Sequence, residues 1–414
     1  MRILIVSQYF WPESFRVNDL ADELMARGNS VTVLTGLPNY PDGMVFPDFR
    51  ANPGKFADYN GIHIYRVPVI PRGSSKLALV LNYLSFVVTG LLLAPWKLRG
   101  QSFDAIFVFQ TSPITSAIPA LLLRRLKKAP VLLWVLDLWP DTLSAIGIIR
   151  SKRLLAIVGG LVRFVYARCD RVLIQSRAFV PLVARYMRDD RTIRYFPGWP
   201  EQIFTDTSAP ANPAPELAPW RDDFIILFAG NIGEAQDFPA ILDAAEATSD
   251  LPDVRWIILG DGRARDMVER ELDRRNLREK VILLGRFPIE RMPEFFAGAD
   301  ALLVSLKAEP IWALTIPGKV QSYLASGVPL LAMIDGEGAR VVAESGGGLV
   351  APAGDGQAVA ARVRALKAMT QAERTQMGSL GRAYGQREFD RGQLVSALEA
   401  WMCEARSALH GLDA

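Results

Sequence analysis

Cysteine and histidine are nearly absent from this chain of 414 residues, which holds two of each. Cys169 and Cys403 lie far apart in sequence, so no disulfide framework and no zinc-binding cysteine cluster can be read, and a reducing compartment is expected. With His63 and His410 the only histidines, a His-rich metal site and Ser-His-Asp chemistry find no support. No Asp-x-Asp occurs, and the Asp pairs 189/190 and 222/223 are adjacent and point different ways, so no metal site is expected. Short repeats and low-complexity tracts are missing too. The opening MRILIVSQYF is too short an apolar run for a signal peptide and begins at once as a strand. No basic helix with interleaved aromatics appears, so nucleic acid is not an expected partner.

What is present is an ordinary globular balance, 50% hydrophobic and 22% charged, at a length that suggests two domains. The net charge of +3 hides an asymmetry. Residues 1–200 carry 25 Lys and Arg against 13 acids, a net of +12, and the remainder carries a net of −9. The first half is therefore expected to meet an anionic partner; a solvated basic surface is the plainer alternative.

Strand patterns alternate with helical ones in both halves, which predicts parallel sheets covered by helices. In the first half strands are read near Arg2–Ser7, Ser30–Thr35, Ile62–Val67, Asp104–Phe109, Val131–Leu136 and Arg171–Gln175. In the second they fit Phe224–Phe228, Val254–Leu259, Val281–Leu284, Ala301–Val304, Leu330–Met333 and Gly348–Val350. The Pro- and Ala-rich stretch 197–222 reads as a linker. Leu77–Trp96 has no charged residue over about the length that spans a bilayer. Strands before and after it are expected in one sheet, and a single crossing would separate them. A packed helix, a helix embedded in one leaflet and a true span stay open. Its basic flanks, Arg72, Lys76, Lys97 and Arg99, favour contact with anionic lipid through the 72–99 region.

The chemistry gathers at strand ends. Ala229-Gly230-Asn231-Ile232-Gly233 and Gly260-Asp261-Gly262 follow apolar strands, and their glycines allow sharp turns and close ligand approach. Neither fits the G-x-G-x-x-G dinucleotide pattern. Arg286-Phe287 ends a third strand. Thr315-Ile316-Pro317-Gly318-Lys319 opens a helix, where free N–H groups and the Lys319 ammonium suit a diphosphate. In the first half, Asp137 ends a very apolar strand beside Trp139 and Pro140; a helix N-cap is the alternative. Residues 7–13 and 38–43, with Trp11, Glu13, Arg16, Asn39 and Tyr40, mix aromatic and polar groups on the same edge, as suits a sugar.

Taken together, QYFWPESFRVNDLADEL (8–24), TGLPNYPDG (35–43), DLWPD (137–141), AGNIGEAQD (229–237), LGDG (259–262), TIPGKVQSYLASGVPLLA (315–332) and ESGGGL (344–349) resemble the GT4 family of retaining glycosyltransferases, nearest its WbuB-like branch. The resemblance spans nearly the whole chain. It implies an α/β, GT-B fold: two Rossmann-like domains facing across a cleft. Residues 1–200 would take the acceptor, 201–387 the nucleotide sugar, and a last helix, 388–414, would cross back to the first domain. Gly230, Asn231, Gly233 and Lys319, with Gly262, Pro317 and Gly318, would then serve the diphosphate side. Arg286 and Phe287 would hold the base, and Asp137 would sit near the sugar. Trp11, Glu13, Arg16, Asn39 and Tyr40 would meet the acceptor.

Two departures from the wider family stand out. Asn231 and Gln236 stand near places where many relatives carry Arg and Lys. Ser322 stands where the second Glu of a Glu-x7-Glu pair is usual, so Lys319 gains weight and ribose recognition falls to Glu344 or to backbone groups. The resemblance implies a metal-independent transfer of an N-acetylated or deoxy hexose from an NDP-sugar, UDP-linked, to a polyprenyl-diphosphate acceptor. The setting would be the cytoplasmic face of the inner membrane, in O-antigen, capsule or exopolysaccharide synthesis. A sugar-nucleotide epimerase of similar fold and a catalytically silent assembly scaffold are the alternatives.

Overall fold

The computed structural model describes residues 1–41, 43–73, 75–145, 147–206 and 212–411. Asp42 of the 38–43 loop, residues 207–211 of the linker, 412–414 of the last helix and the Lys76 side chain lie outside the described residues. The chain divides into two units, Met1–Pro197 with Gly392–Ala414, and Gly198–Arg391. The divisions thus fall at 197/198 and 391/392, against the sequence-based 200/201 and 387/388. Within the stretch read as a linker, Gln202–Thr205 and Pro215–Trp220 form short helical turns of the second unit.

The first unit is built on strands β1 (Arg2–Ser7), β2 (Ser30–Thr35), β3 (Asp58–Tyr59), β4 (Ile62–Arg66), β5 (Ala105–Gln110), β6 (Val131–Val135), β7 (Arg171–Ile174) and β8 (Ile193–Tyr195). Their order is β3-β4-β2-β1-β5-β6-β7-β8. The sequences AIFVFQ of β5 and VLLWV of β6 are buried at every position, as strands covered on both faces require. β1 lies parallel between β2 and β5, with Ile3 opposite Val31 and Ala105. The two-residue β3 pairs antiparallel with β4 and covers that edge.

Helices of nine or more residues in this unit begin with α1 (Arg16–Ala26), α2 (Lys76–Lys97), α3 (Ile118–Lys127) and α4 (Lys152–Tyr166). The strand order decides their faces. From β1 to β2 the chain steps one way along the sheet; from β4 to β5, β5 to β6 and β6 to β7 it steps the other way. Right-handed crossovers then put α1 on one face and α2, α3 and α4 together on the other. The close approach of α2 to α3 agrees: a Cβ at Gly90 would come within 2.7 Å of Pro119.

In the second unit, β9 (Phe224–Ala229), β10 (Val254–Leu259), β11 (Val281–Gly285), β12 (Ala301–Ser305), β13 (Leu330–Met333) and β14 (Gly348–Ala351) lie parallel in the order β11-β10-β9-β12-β13-β14. Helices α5 (Phe238–Ala247) and α6 (Arg265–Arg274) cross in one direction, α7 (Gly318–Ser326) and α8 (Gly336–Ser345) in the other. The direction therefore reverses between β9 and β12, which marks the crevice outside their carboxyl ends. β12 pairs with β9 only at Ala301 and Leu302, so the two strands part before those ends.

Helices α9 (Gly356–Ala368) and α10 (Gln371–Glu388) complete the second unit, α10 behind a Thr370/Glu373 capping box. The last helix, α11 (Arg391–His410), packs in the first unit. There Arg27 at the end of α1 reaches Glu399 at 3.2 Å, and Trp401 meets the Phe196 ring at 6.1 Å.

Candidate functional site

The crevice of the second unit is a cavity of about 600 Å³. Its floor is set by glycine. Gly230 has φ +148° and Gly260 φ +138°, a backbone region that side chains rarely enter. A Cβ on Gly260 would sit 1.8 Å from the Gly230 carbonyl oxygen, and one on Gly230 would sit 2.6 Å from Lys319 Nζ. The two strand-end loops lock together through the Ile232 N–H, which donates to the Asp261 carbonyl at 2.9 Å, and the Ala264 N–H, which donates to that of Ile232 at 3.0 Å. Where β9 and β12 part, Tyr323 of α7 supplies the missing partner. Its hydroxyl accepts from the Ala229 N–H at 3.1 Å and donates to the Ala229 carbonyl at 3.2 Å.

Lys319 enters this space from the first turn of α7. Its Nζ lies 3.6 Å from the Phe228 ring centroid, and among the described residues no carboxylate pairs with it. Burial pushes the pKa of its ammonium down to about 7, so near neutral pH the empty site holds the charge only weakly and a bound anion would stabilise the cation. The adjacent N–H groups of Gly318 and Lys319 have no acceptor within the helix. Ammonium, helix end and glycine floor together suit a diphosphate.

Of the residues singled out in sequence for this side, Gly230, Asn231, Arg286, Phe287, Gly318 and Lys319 line the cavity. Gly233, Gly262 and Pro317 do not line it, and Gly233 lines a separate pocket with Arg263 and Lys307. A Cβ at Gly262 would come within 2.3 Å of the Ile232 carbonyl oxygen, and Pro317 is the residue from which α7 starts. The expectation for Glu344 is corrected: it does not line the cavity. It ends α8, where its carboxylate accepts from Arg340 at 2.5 Å and from Tyr384 at 3.4 Å. A carboxylate not foreseen takes its place. Glu201 lines the cavity and accepts from Ser322 Oγ at 2.6 Å, at the very position where the family's second Glu was missing. Ser322 and Glu201 are 121 residues apart, and nothing in the local sequence pairs them.

In the first unit, Asp137 lies just past the end of β6. Trp139 Nε1–H donates to its carboxylate at 3.0 Å, and Gln110 holds its backbone carbonyl at 3.2 Å. Burial raises the Asp137 carboxyl above its ordinary range, opposed by hydrogen bonds from Thr142, Trp139 and Ser112. Side chains, rather than the backbone N–H groups of a helix start, hold it. Tyr83 of α2 stands nearby, its ring 6.4 Å from that of Trp139.

The acceptor-side candidates divide. Tyr40 clusters with Tyr9 at 5.4 Å and Phe15 at 5.2 Å, and the Arg72 guanidinium lies 5.3 Å over its ring. Arg72 and Tyr83 escaped the sequence reading as site residues because both sit at the apolar helix, which drew attention to lipid instead. Arg16 pairs with Asp19 at 3.7 Å on α1. Glu13 and Asn39, expected on the acceptor side, hydrogen-bond within the loops. Glu13 accepts from the N–H groups of Asn39 and Tyr40 at 2.8 Å and of Phe10 at 3.2 Å, bracing the loops after β1 and β2. Asn39 is spent on the Arg72 N–H and the Leu37 carbonyl. Trp11 packs away from this cluster, on Phe56 and Tyr59 at 4.9 and 5.5 Å.

Both units match known protein families. Residues 14–199 match a glycosyl transferase 4-like domain, and residues 223–368 match the glycosyl transferases group 1 domain. The chain is a glycosyltransferase. The transferase is 25% identical over 347 residues to a protein described as a colanic acid biosynthesis glycosyl transferase, WcaI, of Escherichia coli K12; the match covers 79% of this chain and 82% of that one. Among solved structures it resembles Anabaena HepE in complex with UDP, at 14% identity and a TM-score of 0.68, over 98% of this chain and 100% of that one. Sucrose-phosphate synthase of Thermosynechococcus elongatus matches at 16% identity and a TM-score of 0.72, over 99% of this chain and 100% of the other. These likenesses establish the GT-B architecture of two Rossmann-like domains. The epimerase and the silent scaffold are set aside by the two family matches.

Proposed function

We propose that this transferase takes a sugar from a UDP-sugar and delivers it, with retention, to a polyprenyl-diphosphate-linked acceptor in bacterial surface-polysaccharide synthesis, as a member of the WbuB-like branch. The observation that carries the donor half is Lys319. An ammonium desolvated over Phe228, beside the free N–H groups of α7 and above Gly230, matches a diphosphate that gains negative charge as the sugar leaves. The likeness to HepE, a protein seen with UDP, supports uridine as the base, and the likeness to WcaI supports a surface polysaccharide as the product.

The chain's own groups account for the chemistry without a covalent intermediate. Oriented donors that already face the leaving diphosphate need no reorganisation at the moment of bond breaking, and each is worth about 2–4 kcal/mol in barrier. Glu201, held by Ser322, offers a carboxylate to ribose hydroxyls in place of the missing Glu. Asp137 and the Tyr40–Arg72 cluster mark the acceptor side. The transferred sugar would be an N-acetylated or deoxy hexose. The 72–99 region would rest on anionic lipid at the cytoplasmic face of the inner membrane.

Purified protein incubated with UDP-, GDP- and dTDP-sugars, with and without bacterial membrane lipids, tests the reading. UDP release that depends on lipid is expected with one donor. Release from no UDP-sugar, together with no UDP binding, would overturn it.

A further inference from the structure

Sixteen of the eighteen exposed large hydrophobic residues among the described ones belong to the first unit, and eleven of these lie on α2, α3 and α4. On α2 they repeat every three or four residues, at Leu77, Leu81, Leu84, Val88, Leu92 and Trp96, so they form one stripe along 22 residues, about 33 Å of helix. The opposite stripe, Asn82, Phe86, Gly90 and Ala94, is buried. β4 before this helix and β5 after it share one sheet, so α2 lies along the sheet instead of leaving it.

α4 repeats the design. Leu154, Ile157 and Phe164 are exposed, while Val162, Val165 and Tyr166 are buried. Each of the two helices ends on an aromatic ring roofed by an arginine: Arg99 lies 4.8 Å over Trp96, and Arg168 lies 3.8 Å over Phe164. None of the three helices contains Asp or Glu, and they carry Arg125, Lys97, Lys152, Arg153 and Arg163 among their basic residues. On the other face of the sheet, α1 bears Asp19, Asp22 and Glu23. Acid-free, basic and apolar at once, the layer complements an anionic bilayer surface: apolar stripes enter the acyl boundary and arginine-roofed rings lie at headgroup level.

We infer that α2, α3 and α4 form one membrane-contact layer, in which α4 is a second leg on the same face of the sheet as α2 and fixes which face of the first sheet meets the lipid. The inference extends the 72–99 contact to a built surface and stands apart from the identity of the sugar. A single amphipathic helix can roll on a bilayer; two legs set on one sheet cannot.

Co-sedimentation of the full chain with vesicles of phosphatidylcholine, with and without about 30% phosphatidylglycerol, tests it. The wild type is expected to bind the anionic vesicles. Ile157→Ser with Phe164→Ser should lower the partition coefficient about 10-fold while the melting curve and UDP binding stay unchanged. Arg153→Glu with Arg168→Glu should remove only the gain from phosphatidylglycerol. Wild-type partitioning of the Ile157/Phe164 variant would overturn the inference. So would a wild type that ignores vesicles and is dimeric by light scattering, with the same variant monomeric, since a second copy would then cover the layer. Because UDP binding is read separately, failure here leaves the donor reading standing, and failure there leaves this one.

Discussion

The two units share an architecture and differ in what they do with apolar and charged groups. The first exposes eleven of its sixteen exposed large hydrophobics, among the described residues, on one helical layer that carries basic residues and no acids. The second exposes only Ile289 and Leu380 among large described hydrophobics, and holds its key cation inside. Their strand ends differ in the same sense. Those of the second unit carry glycines that let backbone approach backbone and Lys319; those of the first carry aromatic rings around Asp137 and Tyr40. One parallel sheet with right-handed crossovers supports both, because the loops at its carboxyl edge are free of the packing that fixes the core. A diphosphate needs N–H groups and a cation in a close-fitting pocket, whereas an acceptor with an apolar tail needs ring faces and an exposed landing surface.

The contrast can be broken most sharply at Lys319. Lys319→Ala should lower turnover about 100- to 1,000-fold, the loss expected for one preorganised donor to a leaving group, with the folded structure kept by circular dichroism. Turnover within a few-fold of wild type would remove the cation from the mechanism. Asp137→Asn keeps the shape of the first site and removes its charge. Turnover is expected to fall roughly 100-fold while UDP affinity is unchanged, measured by steady-state kinetics beside calorimetry. A matching loss of UDP affinity would show that the two sites do not divide donor from acceptor work.

Gly260→Ala probes the floor of the second unit. Its Cβ has no room beside the Gly230 carbonyl and its φ is strained, so unfolding stability should drop by about 2–4 kcal/mol in chemical denaturation. A further test is a pH dependence. The folded pKa of Lys319, about 7, lies below its ordinary value of 10.5, so the unfolded chain binds more protons between those values. The stability of the empty enzyme should therefore rise with pH across that window, and Lys319→Met should flatten the rise. A bound diphosphate draws the proton back, so UDP binding at pH 8 should take up protons, seen as buffer-dependent heats. Heats that ignore the buffer would mean that Lys319 is already charged in the empty site.

The sheets were legible because strands buried on both faces are continuous apolar runs ended by glycine or polar residues, as in Phe224–Ala229 before Gly230. Two helices of the second unit were not read. α8 opens on Gly336 and Gly338, poor helix formers that mimic a loop, and α9 is alanine-rich with little periodic contrast. The short edge strands β3 and β8 were missed for a related reason: two or three residues carry no period. In the donor site, the glycines, Lys319, Arg286 and Phe287 could be chosen from local pattern alone. Glu344 could not be ruled out that way, nor Glu201 found.

The class of fold, the split into two α/β halves, the glycine loops, the lysine at the start of α7 and the apolar character of 77–96 can all be read from the residues alone. These are local properties, set by period, backbone freedom and charge within a few residues. Packing at long range brings Lys319 to Gly230 and Glu201 to Ser322, turns Glu13 and Asn39 toward backbone partners, and sets α4 on the same face of the sheet as α2. Each of these depends on strand order and on the direction of a crossover, which bring together residues tens to hundreds of positions apart and leave no trace in the spacing of either partner.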